Sequence, residues 1–199
     1  EKLISELIIR TISAIEAFTG DYAVVFVDDG STDNSIQLIL SQREKNKKIK
    51  LITLSRNFGH QAAYTAGLEY SKGAIVGMMD GDLQDPPELL GEMYKKLIDE
   101  DLEIISGKRI GRKGSRRRNL ASTLFHSVFR NIGELKNIEN YGNFSMMKRI
   151  AVDALLSMNE KVRYLPGLRS MIGFRQGYVD YVRDDRLKGR PKMTLQNLF

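Results

Sequence analysis

The chain has 199 residues, 42% of them apolar and 28% charged, enough for one domain with a substantial buried core. It contains no cysteine, which excludes disulfides and thiolate metal sites. With 31 Lys and Arg against 25 Asp and Glu, its net charge of +6 favours anionic partners: phosphate ligands, an acidic membrane surface or nucleic acid.

Leu3, Leu7, Ile8, Ile12, Ile15 and Phe18 recur at helical spacing and predict an amphipathic first helix, ended by Gly20 and Asp21. YAVVFVDD is a continuous β-branched run ending in acids, as a buried parallel strand would. Asp33 is placed to cap a helix carrying Ile36, Ile39 and Leu40. KIKLITLS predicts a second strand, and HQAAYTAGLEYSK a helix whose small residues suit close packing on a sheet. AIVGMM reads as a third strand. PPELLGEMYKKLIDE reads as a helix with Pro86 and Pro87 in its first turn, where a missing N–H costs nothing. LEIISG is a fourth strand.

After Gly107 the pattern changes. KRIGRKGSRRR, residues 108–118, has seven basic residues in eleven and predicts a mobile basic loop running into a helix, NLASTLFHSVFRNI. NFSMM predicts a short strand, KRIAVDALLSM a helix and GYVDYVR a strand, followed by the polar, turn-rich DDRLKGRPK. No apolar run reaches the roughly 20 residues that cross a bilayer, and no internal repeat is visible.

Alternating strands and helices predict an α/β fold, a mostly parallel sheet with helices on both faces. In such sheets ligands bind beyond the carboxyl ends of the strands. Two acid clusters, Asp28/Asp29 and Asp80/Asp82, fall at such ends. Asp80-Gly81-Asp82 sets two carboxylates around a glycine that permits a tight backbone. Such a pair can hold Mg²⁺ or Mn²⁺ and leave positions for substrate phosphates. In Asp28-Asp29-Gly30-Ser31, an acid can accept hydrogen bonds from a base or a ribose, or can organise the turn. Arg186 and Lys192, six residues apart around Gly189, can close over a diphosphate, one as a fork and one as a point charge. The basic run suits a lipid phosphate or anionic headgroups. Nucleic acid is not favoured, because no aromatic residues interleave with the run. His60 and His126 lack partners at ligand spacing: His60 reads as a helix-start residue and His126 as part of an amphipathic helix, and neither receives a catalytic role.

Taken together, VDDGSTDNS, LSRNFGHQAAYTAGL, MDGDLQDPPELL, RYLPGLRSMIGF and RLKGRPK resemble the inverting family 2 glycosyltransferases of the polyprenyl-phosphate type. The resemblance covers nearly the whole chain in order. It implies a GT-A, Rossmann-like fold over residues 1–199, a divalent metal at Asp80 and Asp82, and transfer from a nucleotide-sugar, UDP before GDP, to a polyprenyl phosphate. By position it implies that Val27, Asp28 and Asp29 face the nucleotide, and that Gly81 and Gln84 help Asp80 and Asp82 organise metal and diphosphate. Arg109 matches a basic residue after the fourth strand, and Arg186 and Lys192 match an R-x-x-G-x-x-K pattern on residues 184–199 that leads toward the membrane. Asp82, Arg186 and Lys192 are thereby the catalytic candidates. A strand ahead of the first helix, ending in a Tyr-Asn-Glu-like motif, is also implied, so both ends are expected to be truncations. The expected location is the cytoplasmic face of the plasma membrane, with this fragment soluble. A homo-oligomer is compatible with the sequence.

One departure is chemical. Where many relatives carry D-x-G-D-F, this sequence has Asn140-Tyr-Gly142-Asn143-Phe144. Neither amide can act as a general base, although both are expected on the acceptor side. An alcohol acceptor needs a base. A phosphate does not, because its second pKa is about 6 and it arrives largely deprotonated. Two rivals remain: a family 2 transferase acting on a saccharide hydroxyl, with Glu139 the nearby acid, and a non-catalytic protein that binds the membrane surface.

Overall fold

The computed structural model describes residues 3–110, 141–160 and 163–182. Within them the chain runs α1 (Ile4–Glu16), β1 (Val24–Asp28), α2 (Ser35–Lys45), β2 (Ile49–Thr53), α3 (His60–Tyr70) and β3 (Ile75–Met78). It continues through α4 (Leu90–Asp99), β4 (Ile104–Ile110), β5 (Tyr141–Lys148), α5 (Arg149–Ser157), α6 (Leu165–Met171) and β6 (Gln176–Val182). Arg186, Lys192 and Asn140 lie outside the described residues, as do the helix expected after the basic run and most of that run.

The strands form two ladders. β1 pairs with β2 in parallel, from Val24 opposite Ile49 to Asp28 opposite Thr53. The second ladder has the order β3-β5-β4-β6. β4 and β6 are parallel, whereas β5 runs antiparallel to both β3 and β4. The α/β class is therefore present, with one reversed strand among the parallel ones.

Alternation along β4 and β5 separates two cores. Ile104 and Met147 face one side, where they meet Leu68 of α3, Ala151, Val152 and Leu155 of α5, and Leu165 and Leu168 of α6. Ile105 and Met146 face the other, against Leu90, Met93 and Leu97 of α4, with Ile15 and Phe18 packed alongside. Both isoleucines are fully buried, each contributing about 1.5–3 kcal/mol of apolar burial. Helices thus cover both faces, as period-two strands with two apolar faces require.

Several boundaries differ from expectation. Asp33 Oδ1 accepts the Ser35 N–H at 3.0 Å in the turn ahead of α2, but the cap position itself falls to Asn34 rather than the expected Asp33. Pro86 is extended and Pro87 opens a 3-10 turn, Pro87–Leu89, that leads into α4. The expected loop does not begin at 108: Lys108, Arg109 and Ile110 complete β4, each in register with β6. α6 was not expected at all. Leu165 to Arg169 are consecutively buried, so no amphipathic period betrays the helix. β1, expected to be fully buried, is only half-buried up to Asp28, because among the described residues it pairs along one edge.

Candidate active site

The site lies where β1 and β3 end and β5 begins. Asp28, buried at the end of β1, accepts the N–H groups of Gly30 at 3.2 Å and Ser31 at 3.0 Å. This folds the chain sharply, with Gly30 at φ +76°. Asp29 reaches across to the loop ahead of α3, where its two oxygens accept the N–H groups of Phe58 at 2.7 Å and Gly59 at 3.0 Å. Both acids therefore act on the backbone: Asp28 shapes its own turn, and Asp29 ties that turn to the start of α3. Val27 packs beneath the same helix, where a Cβ on Gly67 would sit 3.2 Å from its Cγ2. The small residues of α3 do permit a close approach.

After β3 come Asp80, Gly81 and Asp82. Asp80 is 17% exposed, and its Oδ1 lies 2.8 Å from His60 Nε2 and accepts the Tyr64 hydroxyl at 2.7 Å. The hydrogen bond to Asp80 raises the His60 pKa above its ordinary value. Burial, reinforced by the Asp80 charge, pushes the Tyr64 phenol well up. Asp82 Oδ1 accepts the Gln84 N–H at 3.1 Å, turning the chain through Leu83 at φ +58°. Gly81 passes over α1, its Cβ position 3.6 Å from Leu7 Cδ2.

Because β5 is reversed, its first residues share this edge. Asn143 is buried; its Nδ2 lies 3.4 Å from His60 Nδ1, and its Oδ1 accepts Gln61 Nε2 at 3.4 Å. Gln61 Oε1 in turn accepts the Leu165 N–H at 2.9 Å, at the start of α6. Arg169 of α6, 2% exposed, donates to the carbonyls of Gly142 at 2.5 Å and Asn143 at 3.2 Å and to the Ser145 hydroxyl. Burial lowers its pKa to about 10, so it remains charged at neutral pH.

A second group surrounds Arg109. Its Nε donates to the Tyr181 hydroxyl at 3.1 Å, and its Nη2 lies 3.8 Å from Oδ1 of the fully buried Asp85. Tyr181 donates to the same Asp85 oxygen at 2.5 Å. Burial, then Asp85, pushes the Tyr181 phenol up to about 12. The Arg109 guanidinium lies across Gly142, where a Cβ would fall 2.4 Å from Nη2.

The structure thus brings Asp80 and Asn143 together through His60, and places Asp29 against the same helix start. Sequence reasoning left His60 without a partner, and that reading is corrected: its partner is Asp80, twenty residues on. Gln61, Tyr64, Asp85, Arg169 and Tyr181 were also missed. One signal was available, because His60 and Tyr64 share a helix face one turn apart, directly after a strand and loop. A divalent ion fits Asp80 and Asp82 as hard oxygen donors. Among the described residues no group of three or more His, Cys, Asp or Glu could hold an ion unaided.

The family model described as Glycosyl transferase family 2 matches residues 4–156. The chain is 35% identical over 200 residues to the uncharacterized glycosyltransferase YkcC of Bacillus subtilis, an alignment covering 100% of this chain and 62% of that protein. It is 32% identical to the uncharacterized glycosyltransferase sll0501 of Synechocystis sp., covering 100% and 63%. The chain thus spans somewhat less than two thirds of these curated relatives. Among solved structures, the mannosyltransferase PcManGT from Pyrobaculum calidifontis, in complex with GDP-Man and Mn²⁺, superposes with a TM-score of 0.65 at 20% identity, covering 95% of this chain and 54% of that one. Glucosyl-3-phosphoglycerate synthase from Mycobacterium tuberculosis, in complex with Mn²⁺, UDP and glucosyl-3-phosphoglycerate, gives 0.60 at 16% identity, covering 95% and 70%. At these identities the likeness is one of fold.

Proposed function

The chain belongs to glycosyl transferase family 2, and from that premise we propose that it is the catalytic core of an inverting transferase moving a sugar from a nucleotide-sugar, preferentially a UDP-sugar, to a polyprenyl phosphate. The observation that carries the reading is the edge itself: Asp80 and Asp82 follow β3, beside the Asp28–Gly30 turn and the start of β5. Val27 and Asp29 form the nucleoside side of the site. Asp80 and Asp82 would hold Mg²⁺ or Mn²⁺, with Gly81 and Gln84 shaping the turn between and after them. A divalent ion bound there supplies Lewis-acid stabilisation of charge on the departing nucleoside diphosphate. Arg109, aimed by Tyr181 and Asp85, adds positive charge toward phosphate, and Arg186 and Lys192 carry the same role from the C-terminal segment.

Asn143 supports the phosphate acceptor. Its amide is engaged by His60 and Gln61 and cannot take a proton, and a phosphate nucleophile needs no base. Such an acceptor is membrane-borne, and the charge of the basic run that follows β4 supports anionic headgroups at the cytoplasmic surface as its surroundings.

Calorimetric titration with UDP and with GDP, each with and without Mn²⁺, tests the donor half. We expect one nucleotide to bind in a Mn²⁺-dependent way, Mn²⁺ alone to bind only weakly, and Asp82→Ala to abolish the metal dependence. Binding indifferent to Mn²⁺ and to Asp82→Ala would sink the reading. Acceptor assays with polyprenyl phosphate against saccharide acceptors then separate lipid-phosphate transfer from hydroxyl transfer.

A further inference from the structure

We infer that α3 fixes the geometry of the metal-facing carboxylate: His60 and Tyr64 are positioning residues that hold Asp80 through a single oxygen, and Asn143 with Gln61 holds the His60 ring. The inference rests on the reading that Asp80 and Asp82 bind the metal and its diphosphate.

The geometry is specific. His60 and Tyr64 stand one helical turn apart, so their side chains project from one face of α3. Both reach Asp80 Oδ1, at 2.8 and 2.7 Å, and their rings meet edge to face with centroids 4.8 Å apart. A carboxylate with two donors on one oxygen loses rotation about its Cβ–Cγ bond, so its plane is set before any ligand arrives. Tyr64 is itself anchored, packed against the core formed by Leu68, Met78 and Ile104.

His60 is more than half exposed, so packing alone would not hold its ring. The Asn143 amide does. Nδ2 carries only protons to give, so His60 Nδ1 must accept, and the ring proton then lies on Nε2, toward Asp80. At 3.4 Å this contact is weak as an energy but directional as a constraint. The Asn143 amide is oriented in turn by Gln61 Nε2, whose other end is occupied by the Leu165 N–H. The arrangement matches what metal-holding ligands require of their outer partners, which fix ring tautomer and ligand orientation. It also gives the amide at 143 a purpose unrelated to proton transfer.

The test uses the full-length protein and Mn²⁺ with whichever of UDP or GDP the unmodified protein binds. Tyr64→Phe keeps the ring and removes the hydroxyl. His60→Ala removes the donor, and His60→Gln returns an N–H near the Nε2 position. We expect Tyr64→Phe and His60→Ala to weaken Mn²⁺-dependent nucleotide binding about 10-fold or more. Metal-free binding and the thermal midpoint should stay as in the unmodified protein, and His60→Gln should recover part of the loss. Equal losses with and without Mn²⁺ would make these residues merely structural and overturn the inference. So would unaltered binding in both variants while Asp82→Ala abolishes the metal dependence, an outcome that leaves the functional reading standing. If Asp82→Ala itself retains Mn²⁺-dependent binding, the reading and the inference fall together.

Discussion

Two glycines in the site do opposite jobs, and substitution separates them. At Gly30, φ is +76°, and an added Cβ would lie 2.7 Å from the backbone nitrogen of Asn57 and 2.8 Å from the Arg56 carbonyl carbon. Neither strain nor collision can be relieved without moving main chain. Gly30→Ala should therefore cost roughly 2 kcal/mol or more in urea unfolding. At Gly142 the neighbour is the flexible end of Arg109, with the Cβ position 2.4 Å from Nη2. Gly142→Ala should leave stability within about 1 kcal/mol but push Arg109 off Tyr181, weakening UDP binding several-fold; unchanged affinity would deny Arg109 its phosphate role. The acids of VDDGS and MDGD were legible because they punctuate apolar runs. Asp28 and Asp29 also hold backbone, a role that spacing does not separate from ligand contact. His60 was opaque for another reason: its meaning lies in Asp80 and Asn143, respectively 20 and 83 residues away.

Among the elements, β4 and β6 are pinned together at the edge opposite the site. Arg175 donates to Asp101 at 2.5 Å and to Glu103 at 2.9 Å, and Lys148 donates to Asp101 at 2.9 Å. Hydrogen bonds from Arg175, then Lys148, hold Asp101 at about 2, below its ordinary 3.8. Glu103 is lowered too, chiefly by Arg175. The folded state thus prefers the ionised carboxylates. Their contribution is complete above the ordinary carboxylate value and fades as pH falls through the depressed one, for Asp101 through about 2. Arg175→Gln should weaken stability above that window and flatten its loss on acidification, as read from urea midpoints against pH. Because Arg175 and Asp101 are exposed, about 1 M salt should weaken their pairing in the unmodified protein and so mimic part of the substitution. Nucleotide binding should not change. α4 was readable in the sequence from the proline pair ahead of it. α6 was not, since its five consecutive buried residues, Leu165 to Arg169, carry no period.

At the scale of the molecule, the two ladders predict uneven protection. β4 and β5 are paired along both edges, whereas among the described residues β1, β2, β3 and β6 are paired along one. Native-state amide exchange should be slowest at Ile104–Ser106 and Phe144–Met147 and faster in β1 and β3. Equal rates across all strands would contradict the ladder order. The succession of strands and helices was plain in the sequence, but the reversal of β5 was not, because the residues along a strand carry no sense of the direction in which it enters the sheet.

That reversal bears on how such a protein can diversify. Ile110 ends β4 and Tyr141 begins β5 beside it, with Lys108 opposite Tyr141 in the ladder. The connection between them therefore departs from and returns to one rim, the rim that carries Asp80. Insertions and deletions there need disturb no strand register and neither of the two cores. Changes of length between those two ends leave Asp80, and the His60 and Tyr64 contacts that hold it, where they are.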